Sequence, residues 1–271
     1  MIKVQEQMLY DLNRKSSKGN QLKWNIDSLW IKADYAGYEG LVETIVSKIL
    51  EKSNLLQHEY VHYETEEIEY KNKIHRGCKS VNFIPDGFQL ITIERLYALT
   101  TGRSLYQSVF RIDSVSARCQ FLVNEIIRCT GLKDFGTYLA KILTIDALFL
   151  NEDRHFHNIA VMMDRKGKYH LCPIFDQGAA LLSDTTYDYP MNVDSYTLMK
   201  SVKSKTFSSD FDEQLDVVEK LYGKTIQFTC TKRQIKEMLN QCTEYSEEER
   251  NRVYDILCVQ FDKYSYLFKD E

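Results

Sequence analysis

The stretch LNEDRHFHNIAVMMDRKGKYHLCPIFDQG, residues 150–178, decides the reading of this chain because it sets three oxygen-bearing side chains, Asp153, Asn158 and Asp176, in a fixed spacing. Residues 135–150 (FGTYLAKILTIDALFL) are apolar almost all round and lack proline, which predicts a buried helix that delivers the chain to a polar loop at Asn151. After Asn158 come IAVMMD, a polar turn containing Gly167, and YHLCPIF, two β-prone runs that predict a hairpin. A turn centred near Lys166 sets Ile159 opposite Pro173. Asp176 is then expected to return beside the loop that holds Asp153 and Asn158.

That arrangement suits phosphoryl transfer. Magnesium is a hard cation that takes one or two protein oxygens and completes its shell with water and phosphates. Asp176 and Asn158 can supply those oxygens, and Asp153 is then the carboxylate left to orient or deprotonate an attacking hydroxyl. Asp-x-x-x-x-Asn followed by Asp-x-Gly is the pattern of the catalytic and metal-binding loops of protein kinases. Either half alone is a weak signal; joined by a hairpin and preceded by a buried helix, they carry the reading. His155 and His157 form a His-x-His that could ligate zinc, but no nearby Cys or His completes a tetrahedral set. His155 is expected to orient the loop by hydrogen bonds.

The rest of the composition narrows the alternatives. A chain of 271 residues, 44% hydrophobic and 27% charged, is long enough for one two-lobed unit or two small domains. A net charge of −4 with scattered lysines and arginines offers no basic face for nucleic acid and no polybasic membrane tag. The apolar helix is interrupted by Tyr138, Lys141, Thr144 and Asp146, short of a membrane span, and the N-terminus lacks a signal-peptide core. Seven dispersed cysteines with no C-x-x-C pair suit a reducing cytoplasm, which is the expected location.

Upstream, IKVQEQMLYDL, QLKWNID and SLWIKAD read as strands, with a polar loop over residues 14–20 that contains Ser16, Ser17, Lys18 and Gly19. This loop reads as a hairpin turn or as a phosphate-covering loop made of backbone N–H groups and small hydroxyls. Lys32 ends the run Leu29-Trp30-Ile31, from where it can reach inward to nucleotide phosphates. The following YEGLVETIVSKILEK has one apolar stripe at helical spacing, with Glu39 and Glu43 on its border. Glu39 lies nearer the middle of the stripe and is the preferred partner for Lys32, with Glu43 as the substitute. Residues 58–78 read as two strands, Pro85-Asp86-Gly87 as a turn, and FQLITIERLY as a strand whose Glu94–Tyr97 end crosses between lobes and can pair with adenine through its backbone. From about Ala98 the pattern is helical. The Ser/Thr/Tyr-rich stretch after Gly178 reads as a loop or a substrate-binding segment, and TKRQIKEMLNQC and SEEERNRVYDILCVQFDKYSYLF return to helix, the last with a Ser246/Glu249 capping box.

On these motifs, above all DALFLNEDRHFHN and PIFDQGAAL, the sequence resembles the HipA-like serine/threonine protein kinases, and among them compact CtkA-type bacterial members without an added N-terminal domain. The resemblance implies an α+β, two-lobed protein-kinase-like fold, with a β-rich N-terminal lobe over residues 1–97 and a mainly helical lobe over 98–271. It implies ATP and Mg²⁺ as cofactors and a Ser or Thr of a protein as acceptor. Asp153 becomes the base, Asn158 and Asp176 the magnesium ligands and Lys32 the phosphate contact; Glu94 and Leu96 lie at adenine, and Ser16 and Ser17 are candidate autophosphorylation sites. The run HRGCKSVNFIPDG is longer than the pattern leads one to expect, and the phosphate loop is thin in glycine. Rival readings are a phosphoinositide or small-molecule kinase, since Asp-Arg-His-x-x-Asn-Ile followed by Asp-x-Gly occurs there too, and a nucleotide-binding pseudokinase.

Overall fold

A computed structural model describes residues 1–6 and 21–269, so the expected phosphate loop with Ser16, Ser17, Lys18 and Gly19 lies outside the described residues. In chain order the first elements are β1 (Ile2–Lys3), β2 (Lys23–Ile26), β3 (Leu29–Ala33), α1 (Glu39–Leu50), β4 (Glu64–Tyr70), β5 (Lys73–Val81) and β6 (Gln89–Thr92). Then come α2 (Ile93–Thr101), α3 (Leu105–Phe110), α4 (Val115–Thr130), α5 (Phe135–Phe149), β7 (Ala160–Met163) and β8 (Tyr169–Leu171). The chain ends with α6 (Ser195–Met199), α7 (Phe211–Tyr222), α8 (Lys232–Asn240) and α9 (Glu247–Lys263). Among the described residues no helix is long and apolar enough to cross a membrane.

The chain forms two compact units: Met1–Phe83 with Phe175–Val202 and Gln227–Glu271, and Ile84–Ile174 with Lys203–Ile226. This is not the single cut after residue 97 expected from sequence. The first unit draws in later segments because α1 packs against α8 and because the backbone at Gln177 bonds to Glu43.

In the first unit a five-stranded sheet runs in the order β1-β4-β5-β3-β2. Its hairpins close on two-residue turns with positive φ, Asp27-Ser28 and Lys71-Asn72, the geometry that matches strand twist. Alternation along β3 sorts the side chains: Ile31 and Ala33 join Trp24, Ile68 and Tyr70 in one apolar cluster, whereas Lys32 points to the opposite face with its cross-strand partner Cys78. On that second face Val61, Tyr63 and Cys78 are buried, and α1 approaches at a pair of glycines. A Cβ on Gly40 would lie 2.4 Å from the Gly77 carbonyl carbon, and one on Gly77 would lie 2.0 Å from the Lys32 carbonyl oxygen. Only glycine permits so close an approach, and it brings the next turn of α1, with Glu43, to Lys32.

The second unit holds a three-stranded sheet, β6-β7-β8, and the helices α2–α5 and α7. The pairing Val161↔Leu171, Met162↔His170 and Met163↔Tyr169 has the register the hairpin reading requires. Buried α5 packs on α7 at Gly136, where a Cβ would sit 2.3 Å from the Tyr222 ring. The strand expected over FQLITIERLY stops at Thr92. The Thr92 hydroxyl caps α2 by accepting from the Arg95 N–H, so residues 93–101 are helical and there is no extended crossing at Glu94–Tyr97.

Candidate active site

The first unit holds Lys32, which is 8% exposed, between two carboxylates. Its Nζ donates to Glu43 Oε1 at 2.6 Å and to Asp176 Oδ1 at 2.8 Å, and it lies 5.1 Å above the centre of the Tyr63 ring. Burial disfavours the ammonium, but the Asp176 and Glu43 carboxylates outweigh it and hold Lys32 well above the usual lysine range. The second oxygen of Glu43 accepts from the Gln177 N–H at 2.8 Å, so one glutamate fixes both the lysine and the backbone beside Asp176. Asp176 sits at a φ of 65°, a left-handed conformation that aspartate adopts more readily than most residues.

The preferred partner Glu39 does not reach Lys32. It is the first residue of α1, and its carboxylate turns back to accept from the N–H groups of Ala36 at 2.7 Å and Gly37 at 3.1 Å. Carboxylates are drawn to such donors at a helix N-terminus. Glu43, one turn on and 1% exposed, faces the sheet instead.

Behind Lys32 lies a further polar cluster. Asp34 accepts from the Gly40 N–H at 2.6 Å and from the Tyr245 hydroxyl at 2.9 Å, and Arg76 forms an ion pair with Glu249 under the Tyr245 ring. Burial, helped by the Glu39 carboxylate and opposed by the Gly40 N–H, the Tyr245 hydroxyl and Arg76, pushes Asp34 from its ordinary 3.8 up to about 7. The folded state therefore keeps a proton that the unfolded chain releases between these values, and this contribution to stability falls as pH rises from about 4 to 7. Asp34→Asn should remove that slope. In urea titrations at pH 5 and pH 8, the variant is expected to gain on the wild type at the higher pH; parallel curves would refute the assignment.

In the second unit the loop after α5 is strapped to the helix. Leu150 ends α5 in a left-handed conformation, φ 56°, and turns the chain sharply. Arg154 is 1% exposed; its Nε donates to both oxygens of the fully buried Asp146, at 3.2 and 3.0 Å, and its Nη1 donates to the Asn158 carbonyl at 2.9 Å. Asn151 Nδ2 adds a bond to Asp146 Oδ1 at 3.1 Å. Burial pushes Asp146 up to about 6, against the pull of Arg154. The sequence reading treated Asp146 only as an interruption of an apolar helix; a buried acid one turn before a loop that carries an arginine was the available signal.

Within this frame Asp153 and Asn158 meet. Asn158 Nδ2 donates to the Asp153 carbonyl at 2.8 Å and to Asp153 Oδ2 at 3.3 Å, which leaves the amide oxygen as the atom Asn158 can offer a cation. His155 builds the loop: its N–H donates to the Asp153 carbonyl at 2.9 Å, its carbonyl accepts from the Asn158 N–H at 2.8 Å, and its Nδ1 accepts from the His157 N–H at 3.2 Å. Burial lowers its pKa, with Asp153 pulling the other way. Among the described residues no three His, Cys, Asp or Glu side chains gather as a metal cage. The Asn158 amide oxygen in the second unit and the Asp176 carboxylate in the first are each hard oxygens, the donor type that magnesium takes.

Glu94 and Leu96 have other surroundings than expected. The Glu94 carboxylate accepts from the N–H groups of Leu105 and Tyr106 at the start of α3, its own N–H donates to the Phe156 carbonyl, and Leu96 is buried in α2. Neither offers the extended backbone edge expected of an adenine-pairing segment.

The fold is of the protein-kinase-like class, α+β with a curled sheet followed by a mainly helical region. A solved structure described as the Helicobacter pylori proinflammatory kinase CtkA matches this chain with a TM-score of 0.62 at 16% sequence identity, covering 97% of this chain and 95% of that one. No family model matches the sequence. No curated protein does either.

Proposed function

We propose that this chain is an ATP- and magnesium-dependent serine/threonine protein kinase of the HipA-like, CtkA type. The observation that carries the reading is Lys32, buried and held by Glu43 on α1 and by the Asp of an Asp-x-Gly segment. A strand lysine, a helix glutamate and a metal-loop aspartate are the parts that position nucleotide phosphates in kinases. Supporting it are the Asp153–Asn158 pair, in the spacing of a catalytic loop, and the kinase name of a structural neighbour that spans almost the whole chain.

In this reading Lys32 contacts the α- and β-phosphates, and Asp153 orients the acceptor hydroxyl and takes its proton as the γ-phosphoryl group leaves the β-phosphate oxygen for the hydroxyl oxygen. Asp176 and Asn158 would hold magnesium, which when bound neutralises charge on the phosphate oxygens. Ser16 and Ser17 are the autophosphorylation candidates. All seven cysteines are free thiols, in keeping with work in a reducing cytoplasm.

The test is intact-mass spectrometry of the protein incubated with ATP and magnesium, with a generic protein acceptor. Gain of phosphate mass by either protein, absent in Asp176→Ala, supports the reading; ATP binding with no transfer to either supports the pseudokinase alternative, and transfer only to phosphoinositide in vesicles supports a lipid kinase. The glutamate assignment has its own outcome. Glu43→Gln should lower kcat/KM for ATP about 10- to 100-fold, the order expected for losing one charged hydrogen bond in a buried site, while Glu39→Gln leaves it within a few-fold. Equal effects would refute the choice of Glu43.

A further inference from the structure

Resting on the kinase reading above, we infer that Lys205 is a catalytic residue: it supplies the cation that contacts the phosphoryl group as it transfers at Asp153. Its Nζ lies 3.3 Å from Asp153 Oδ1. Asn158 bonds the other carboxylate oxygen, so the two oxygens of Asp153 are held by different groups. The Asp153 side chain is 9% exposed and that of Lys205 is 48% exposed, so the lysine approaches from the open side, where an acceptor hydroxyl and phosphoryl group must also arrive.

The position of Lys205 is built, not incidental. Its neighbours Ser204 and Thr206 are buried, the second completely. The Thr206 hydroxyl donates to the Arg154 carbonyl at 2.7 Å, in the loop that carries Asp153. The Ser204 hydroxyl accepts from the Gln214 amide, whose oxygen in turn takes the Phe207 N–H at 2.8 Å. The Phe207 carbonyl accepts from Arg118 at 3.1 Å. Anchored on both sides, residue 205 alone in the run 204–208 is exposed, and its side chain turns to Asp153.

The chemistry explains why a cation is placed there. The catalytic loop's own arginine, Arg154, is committed to Asp146 and the Asn158 carbonyl. An ammonium has three N–H donors; with one on Asp153, the others can bond phosphoryl oxygens as their charge develops. Lys205 would thereby tie base and phosphoryl group into one geometry.

The experiment compares wild type, Lys205→Met and Lys205→Arg, with Lys205→Ala assayed with and without added methylamine. The expected result is a loss of kcat of about 10²- to 10³-fold in Lys205→Met, the range for one transition-state donor, with KM for ATP changed less than about threefold. Lys205→Arg should recover part of the loss, methylamine should partly rescue Lys205→Ala, and melting temperatures should stay close to wild type. A purely structural lysine would give lower melting temperatures and no amine rescue, which would overturn the assignment. A wild-type enzyme that turns over while Lys205→Met keeps kcat within threefold would overturn it and leave the kinase reading intact. A wild type that binds ATP and transfers nothing would overturn both.

Discussion

If the proposed kinase reading holds, Asp153→Asn is expected to lower phosphotransfer about 10³-fold, within the 10²- to 10⁴-fold range of general-base contributions, without unfolding the protein. The amide keeps the shape of a side chain that lies against Asn158 and Lys205, but it cannot accept the hydroxyl proton and keeps only one acceptor oxygen. The backbone at this position is secured independently: the Asp153 N–H donates to Asn151 Oδ1 at 3.2 Å, and its carbonyl takes N–H groups from His155 and Asn158. Turnover and melting temperature should therefore separate. A kcat within tenfold of wild type would remove Asp153 from the mechanism.

At Asp146, in the last turn of α5, the expectation reverses. Asp146→Ala should destabilise the fold by about 3–5 kcal/mol, because it strips the carboxylate from a guanidinium that is almost entirely buried. Replacing both partners, Asp146→Leu with Arg154→Met, should restore most of that stability, since an apolar pair does not strand a buried charge. Activity should stay low in the double variant, because the Arg154 bond that holds the Asn158 carbonyl is gone as well. Urea unfolding of the single and double variants decides this; a double variant as unstable as Asp146→Ala would show that the pair has a role that packing cannot replace.

These two aspartates show what a sequence can carry and what it cannot. The Asp153, Asn158 and Asp176 spacing, the hairpin register and the apolar stripe of α1 are local patterns, and each is visible in a short window. The choice between Glu39 and Glu43 was not local. α1 is buried on nearly every side, so the edge of its apolar stripe does not say which glutamate faces the strand, and the helix begins at Glu39, which sends that carboxylate to loop N–H groups. α2 was misread as a strand because Ile91 and Ile93 extend a β-like run past the Thr92 cap. α7 went unrecognised although Asp210 caps it, and Lys205 lies 52 residues from the aspartate it meets, in a stretch with loop-like composition.

The way later segments return to the first unit has a consequence for biosynthesis. β3 leaves the ribosome well before its partners: Lys32 bonds Asp176, 144 residues on, and Asp34 bonds Tyr245, 211 residues on. Until those segments are made, Lys32 has Glu43 beside it but not Asp176, and α1 lacks the packing of α8 against it. Closing loops of this length must precede the contacts that reward it, which slows folding. The nascent first unit therefore waits, half-assembled, for these later segments, and chaperones that shield exposed apolar strands would act on this protein during that interval.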